Sequence, residues 1–347
     1  MNNVEFEIKS RKIGFHHDPL VIAEIGINHG GSLELAKKMA DLAIEAGVDV
    51  VKHQTHIVED EMSKEADKDV IEYIGKSIYK LMDDCSLSLD EEIELKDYVE
   101  SKGCIYLSTP FSRAASNFLN EIDVPAFKIG SGECNNYPLI DHIAKFGKPI
   151  ILSTGMNDYE SIKTSVEILE ERKVSYALLH TTNIYPTPHH LVRLNAISEM
   201  YKIFPECVIG FSDHTTDNLV SFGAVALGAS ILERHFTDTM KRDGPDIKNS
   251  MDPKAAKELV EGSKLIKSGR YGIKGPIKEE RDVINFAYAS VVTIKEVKKN
   301  ECFSMENIWV KRPGTGPYFA KDFKNILGKK ASRNIKKDKH LEPEDIV

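Results

Sequence analysis

Eight short apolar runs constrain what this chain can fold into more than any other feature of its sequence. They lie at 20–28, 48–56, 104–111, 126–131, 149–155, 176–182, 207–214 and 231–237, and each ends in polar residues. Apolar runs of this length suit strands buried on both faces. Helical patterns lie between them. The stretch 32–46 places Leu33, Ala36, Met39, Ala40 and Ala43 at helical spacing and stops at Gly47, and 161–171 and 219–227 read the same way. Eight such alternations in roughly 250 residues give a (β/α)8 barrel. A doubly wound open sheet is the alternative. The connection 58–103 is long and charged, and predicts two or three helices in an elaborated loop near the barrel mouth.

After Ser263 the texture changes. The segment KSGRYGIKGPIKEER at 267–281 is rich in Gly and charge and reads as a linker. The following ASVVTIKEVKKNECFSMENIWVKRPGTG predicts a short strand, a turn at KKN and a second short segment. The expected organisation is a barrel at 1–266, a linker at 267–287 and a small domain at 288–347. A domain that small has a thin core and is expected to lean on the barrel or on a second copy of the chain.

Charge and patterning exclude several functions. With 46 Lys and Arg against 54 Asp and Glu, the net charge of −8 argues against a nucleic-acid surface. The longest apolar runs, such as that from Pro149 to Leu152, are too short for a membrane span. The first residues, MNNVEFEIKSRK, lack the apolar centre of a signal peptide. Five cysteines with no CxxC pair predict reduced thiols in a cytoplasmic protein rather than a zinc or disulfide scaffold.

Catalytic groups of a barrel sit at the C-terminal ends of its strands. Here those ends carry Glu24, Asn28 and His29; Lys52 and Gln54; Ser108 and Thr109; Lys128, Ser131 and Glu133; Ser153 and Thr154; Thr181, Thr182, Asn183 and Tyr185; Ser212, Asp213 and His214; Glu233 and His235. A barrel serving only as a scaffold has no need of polar side chains at all eight ends. Lys52 and Lys128, surrounded by hydroxyls and an amide, match a small phosphate with a carboxylate. His214 and His235 end neighbouring strands, with Glu24, Asp213, Glu233 and Asp246 in range. Two imidazoles with oxygen ligands suit a divalent cation, Mn2+ before Mg2+ or Co2+, better than closed tetrahedral zinc. The turns at 130–133 and 242–246 offer backbone N–H groups to a ligand. The segment Tyr185-Pro186-Thr187-Pro188 is either a stacking platform for a sugar ring or a plain rigid turn.

Taken together, the strings EIGINH (24–29), KHQTHIVEDEMS (52–63), STPFSR (108–113), FKIGSGECNNYP (127–138), LSTGM (152–156), NIYPTP (183–188), GFSDH (210–214), ERHFTD (233–238), GPDI (244–247) and KRPGTG (311–316) resemble the sialic acid synthase family, in family order over nearly the whole chain. The tail resembles the antifreeze-like (SAF) domain of those enzymes. The resemblance implies condensation of phosphoenolpyruvate with an N-acetylated hexosamine aldehyde to give a nine-carbon 2-keto acid and phosphate. KHQTHIVEDEMS and GSGECNNYP look most like the N-acetylneuraminate branch, whose aldehyde is open-chain N-acetylmannosamine. The legionaminate and pseudaminate branches more often carry an aromatic or aliphatic residue at the His53 position.

Carried over by position, the resemblance gives Lys52, Thr109, Lys128, Ser131, Ser153, Asn183 and Ser212 to phosphoenolpyruvate and His214 and His235 to the metal. It gives Gln54, Phe111, Glu133, Tyr185, Asp246 and Phe286 to the sugar pocket, and Arg312 to the acetamido group. Glu24, with Asp246 as second choice, is expected to activate water. The resemblance also implies a homodimer with swapped C-terminal domains. Two stretches depart from the pattern: KDVIEYIGKS at 68–77 lacks a Pro-Gly-Asn turn, and Lys248-Asn249-Ser250 stands where small apolar residues or Cys are more familiar. Three other readings are a sibling synthase for a diacetamido sugar, a phosphoenolpyruvate synthase acting on a sugar phosphate, and a non-enzymatic binding module. The sugar phosphate would call for an additional Arg/Lys cluster.

Overall fold

The computed structural model of the chain describes residues 3–68, 70–71 and 75–347, with no side chains described at 70 and 71. The divergent stretch 68–77 therefore lies partly outside the described residues. The chain divides into two units, Met1–Tyr271 and Gly272–Val347.

In the first unit the strands are β1 (Leu20–Gly26), β2 (Val50–Thr55), β3 (Ile105–Pro110), β4 (Phe127–Ile129), β5 (Ile150–Ser153), β6 (Tyr176–Thr181), β7 (Val208–Asp213) and β8 (Ile231–His235). Each falls inside one of the eight apolar runs. Bonded neighbours are parallel and ordered β3-β2-β1-β8-β7-β6-β5-β4. The two ends of this ladder, β3 and β4, lie side by side, so the sheet is a nearly closed barrel and not an open one.

Alternation along the strands builds the site. Every second side chain faces the barrel interior. Leu20 and Ile22, Val50, Ile105 and Leu107, Ala126, Ile151, Ala177 and Leu179, Val208 and Ile231 fill it, joined by Phe6, Ile8 and Ile13 of the hairpin Glu5–Ile8/Arg11–Gly14. One step of two residues further along, the same faces carry Glu24, Lys52, Thr109, Lys128, Ser153, Thr181 and Glu233, and all of these remain buried. Gly210 is required on β7, because a Cβ there would come within 2.4 Å of Leu179 and 2.8 Å of Ile231.

The opposite faces pack on the helices. Ala36, Met39, Ala40 and Ala43 of helix Leu33–Glu45 share a core with Val21, Ala23, Ile25 and Val51. Ser32 caps that helix through its hydroxyl, which accepts from the Leu35 amide. The long connection after β2 holds helices Val58–Glu61, Ile78–Cys85 and Leu89–Ser101.

In the second unit, antiparallel strands β9 (Ser290–Thr293) and β10 (Ile308–Lys311) pack with Val297, Phe303, Ile326, Ala331, Ile335 and Leu341 into a small core. Helix Arg281–Ala287 contributes no buried residue. Among the described residues no helix is long and apolar enough to cross a membrane.

Candidate active site

The polar ends of the strands enclose a cavity of about 130 Å³ at the C-terminal mouth of the barrel. Its lining includes Glu24, Lys52, Gln54, Thr109, Phe111, Lys128, Ser131, Ser153, Asn183, Tyr185, Ser212, His214 and His235. Glu133 and Asp246 are not part of the lining. Glu133 ends the turn Ser131–Glu133 and accepts a hydrogen bond from Asn136 Nδ2. Phe286 and Arg312 belong to the second unit, where the Arg312 guanidinium lies 5.9 Å from the Phe286 ring centre.

Each lysine is compensated inside the cavity. Lys52 forms an ion pair with Glu24 and donates to Thr109 Oγ1 at 2.8 Å. Lys128 donates to Ser153 Oγ at 2.8 Å and lies 3.5 Å from Glu233 Oε1. Ser212 donates to the same Glu233 oxygen at 3.2 Å. Removal from water disfavours every one of these charges, and their pairing is what keeps them in place. Burial pushes the Glu24 carboxyl up, against the pull of Lys52. Burial acts the same way on Glu233, but Lys128 and Lys52 together hold that carboxyl below its usual range. Asn183 Oδ1 and Glu233 Oε2 are buried without a hydrogen-bond partner. Buried acceptors of this kind await a ligand or water.

The two imidazoles meet on the β7–β8 side. The His214 and His235 ring centres are 5.5 Å apart, and Tyr185 stacks on His214 at 4.2 Å. His214 Nδ1 is bonded to the Thr182 carbonyl at 2.9 Å, so Nε2 is the nitrogen left for another partner. His235 Nδ1 is buried with no hydrogen-bond partner and lies 3.6 Å from Asp246 Oδ2. Among the described residues no group of three or more His, Cys, Asp or Glu closes around one point. Two adjacent imidazoles, one with an unpartnered buried nitrogen, are a donor pair that would suit a divalent cation only if other groups completed its coordination.

Sequence reasoning underrated Glu233, grouping it with the carboxylates near the histidines. Its place is the counterion of Lys128. The signal was available, since residue 233 shares its face with His235 and the apolar Ile231. His53 lies on the opposite face of β2 from Lys52 and Gln54 and does not line the cavity. It packs in a buried polar chain between sheet and helices. The Gly31 amide donates to His29 Nδ1 at 3.2 Å, His29 Nε2 faces His53 Nε2 at 3.1 Å, and His53 Nδ1 lies 3.4 Å from Glu92 Oε1. Glu92 also accepts from Thr55 and Tyr106.

A parallel barrel with lysines, carboxylates, hydroxyls and paired imidazoles converging at its C-terminal mouth is a barrel of the enzyme type. Residues 39–270 match the NeuB family and residues 288–347 the SAF domain, and the chain belongs to the NeuB family. It is 40% identical to an uncharacterized protein of Methanocaldococcus jannaschii over 99% of this chain and 97% of that one. It is 37% identical to the N,N'-diacetyllegionaminic acid synthase of Campylobacter jejuni over 92% of this chain and 97% of that one. The crystal structure of an N-acetylneuraminic acid synthetase from Leptospira borgpetersenii, in complex with citrate, superposes with a TM-score of 0.74 at 31% identity, covering 81% of this chain and 95% of that one.

Proposed function

We propose that the protein is a nonulosonate synthase that condenses phosphoenolpyruvate with an N-acetylated hexosamine aldehyde and water, releasing phosphate by C–O cleavage. One observation carries this reading: two buried lysines, each with its own carboxylate and hydroxyl partners, share a cavity with two adjacent imidazoles. Lys52 and Lys128, with Thr109, Ser131, Ser153, Asn183 and Ser212, hold the enol phosphate. C3 of the enol attacks the aldehyde carbon. Water adds at C2, and Glu24, with Asp246 the second candidate, takes one of its protons and returns it to the oxygen of the former aldehyde, while the other goes with the phosphate as the C2 ketone forms. Phosphate then leaves against the two lysines, whose positive ends are fixed before the reaction begins. A divalent cation held by His214 and His235, Mn2+ before Mg2+ or Co2+, supplies Lewis-acid polarisation of the aldehyde carbonyl.

Gln54, Phe111, Glu133, Tyr185 and Asp246 are our candidates for the sugar end. Phe286 and Arg312 are our candidates for a contribution from a second copy in a swapped homodimer, with Arg312 at the acetamido group. The reduced thiols and the substrate favour a cytoplasmic enzyme.

N-acetylmannosamine is the first acceptor in this reading. A diacetamido hexose is the second, favoured by the 37% identity to the Campylobacter jejuni synthase. It gains further weight because His53, the residue that spoke against it, faces away from the cavity. Phosphate release from phosphoenolpyruvate, measured with a panel of N-acetylated, diacetamido, unacetylated and phosphorylated aldoses, separates these cases. Release with one N-acetylated aldose is expected, and its absence with all of them overturns the proposal.

A further inference from the structure

His56 does not line the cavity, yet it is tied to a residue that does. Its ring stacks on Phe111 with centres 4.5 Å apart and planes 9° apart. Its Nδ1 is 2.7 Å from Glu61 Oε2, and its Nε2 is 3.2 Å from Gln54 Oε1. The other end of the Gln54 amide, Nε2, donates to Glu24 Oε1 at 2.8 Å. Glu24 Oε2 is taken by the Lys52 ammonium. Glu24 thus accepts at both oxygens.

The proton positions follow from what each atom can do. A carboxylate accepts only, so the amide end facing Glu24 must be the NH2, and the Gln54 carbonyl must face His56. That carbonyl also accepts only, so His56 Nε2 must donate to it. Glu61 likewise requires a donor, which is His56 Nδ1. Both ring nitrogens therefore carry protons. The ion pair is buried, with 3% of the His56 side chain and 9% of the Glu61 side chain exposed. His29 lies close enough to His56 to sense its charge, Glu133 lies close enough to Glu61 to sense its charge, and Glu24 holds the far end of the Gln54 amide. His29 accepts from Gly31 at Nδ1 and is a neutral ring, so it does not oppose the cation.

We infer that His56 is a positioning residue: an imidazolium pinned by Glu61 that locks the Gln54 amide and makes Gln54 a donor-only contact in the cavity. One amide hydrogen is spent on Glu24. The other is what a substrate meets, so the group recognised there is an acceptor such as a hydroxyl or carbonyl oxygen. Without His56 the amide keeps its bond to Glu24 but its carbonyl end is no longer fixed, so the free N–H drifts out of line with the substrate oxygen. The kinetic part of this inference rests on the function proposed above. The protonation part does not.

Two measurements on the full-length protein test it. The first is nitrogen NMR of histidine-labelled protein without substrate, with the His56 signal assigned by its loss in His56→Phe. Both nitrogens are expected to be protonated at neutral pH, and Glu61→Gln is expected to convert the ring to a neutral tautomer. A neutral His56 in the unmodified protein overturns the inference whatever the enzyme's substrate. The second is the kinetics of His56→Phe, which keeps the ring stack on Phe111 and loses both donors. KM for the aldose is expected to rise roughly tenfold, the effect of about one lost hydrogen bond, with KM for phosphoenolpyruvate and kcat nearly unchanged. His56→Gln, which keeps one N–H, is expected to recover part of the loss. Equal effects on both substrates, or no effect on the aldose, overturn the positioning role. If the unmodified enzyme turns over no aldose at all, the proposed function fails and the NMR result still decides the state of His56.

Discussion

A Cβ on residue 155 would lie 1.9 Å from Asn183 Oδ1, so the glycine at the end of β5 is what allows the Asn183 amide to reach the cavity. Gly155→Ala is expected to push Asn183 aside and to raise KM for phosphoenolpyruvate about tenfold, while Asn183→Ala alone does the same. The double variant should be little worse than Asn183→Ala, the small excess coming from Ser131 Oγ, which the same Cβ would approach to 2.9 Å. Additive losses in steady-state kinetics would show that Gly155 acts otherwise.

Lys128 is buried between Ser153 and Glu233, and removing it alone strands a buried carboxylate. Lys128→Met should lower stability by about 3–5 kcal/mol and kcat/KM for phosphoenolpyruvate by about 10³ or more. Adding Glu233→Gln should restore most of the melting temperature and none of the activity. Recovery of both would mean that the lysine serves folding alone.

A divalent cation at His214 and His235 predicts that His235→Ala loses bound metal and activity together. Elemental analysis of the purified variant checks this, and metal retained at the level of the unmodified protein contradicts the assignment.

His29 couples stability to pH. Burial first, then the neighbouring His53, push its pKa down to about 3, far below the ordinary value near 6.5. The folded chain therefore holds this ring neutral while the unfolded chain protonates it. The stabilisation is fully present above about pH 6.5 and is lost progressively as pH falls toward 3, about 2 kcal/mol by pH 5. Urea unfolding across that range should show a shallower pH slope for His29→Gln than for the unmodified protein. Identical slopes would rule out His29 as a contributor.

His53 is expected to govern stability and not sugar choice. His53→Phe breaks the link between His29 and Glu92 and should cost about 1–3 kcal/mol. The ratio of kcat/KM for N-acetylmannosamine to that for a diacetamido hexose should move less than about twofold, because the ring touches no substrate. A large change in this ratio would show that His53 does act on sugar choice.

The barrel was legible because its runs are apolar on both faces and end abruptly in polar residues. The cavity was legible because inward positions recur every second residue, so Leu20 and Ile22 lead to Glu24, and Val50 leads to Lys52 and Gln54. By the same rule His53, between two cavity residues in sequence, falls on the other side of the sheet. Ion pairing was harder to read. Nothing local in the sequence says that Glu233 on β8 neutralises Lys128 on β4, since that pairing depends on how far each side chain reaches across the barrel. The role of His56 is equally non-local, depending on Glu61 coming back on the short helix that follows β2.

The strict inside–outside alternation along β2 leaves the enzyme tolerant of substitution and intolerant of a frame change. Inserting or deleting a single residue between Val50 and Lys52 would turn the lysine toward the helices and His53 toward the barrel axis. New chemistry on this scaffold therefore has to arise by exchanging side chains in place, and length variation is confined to the loops.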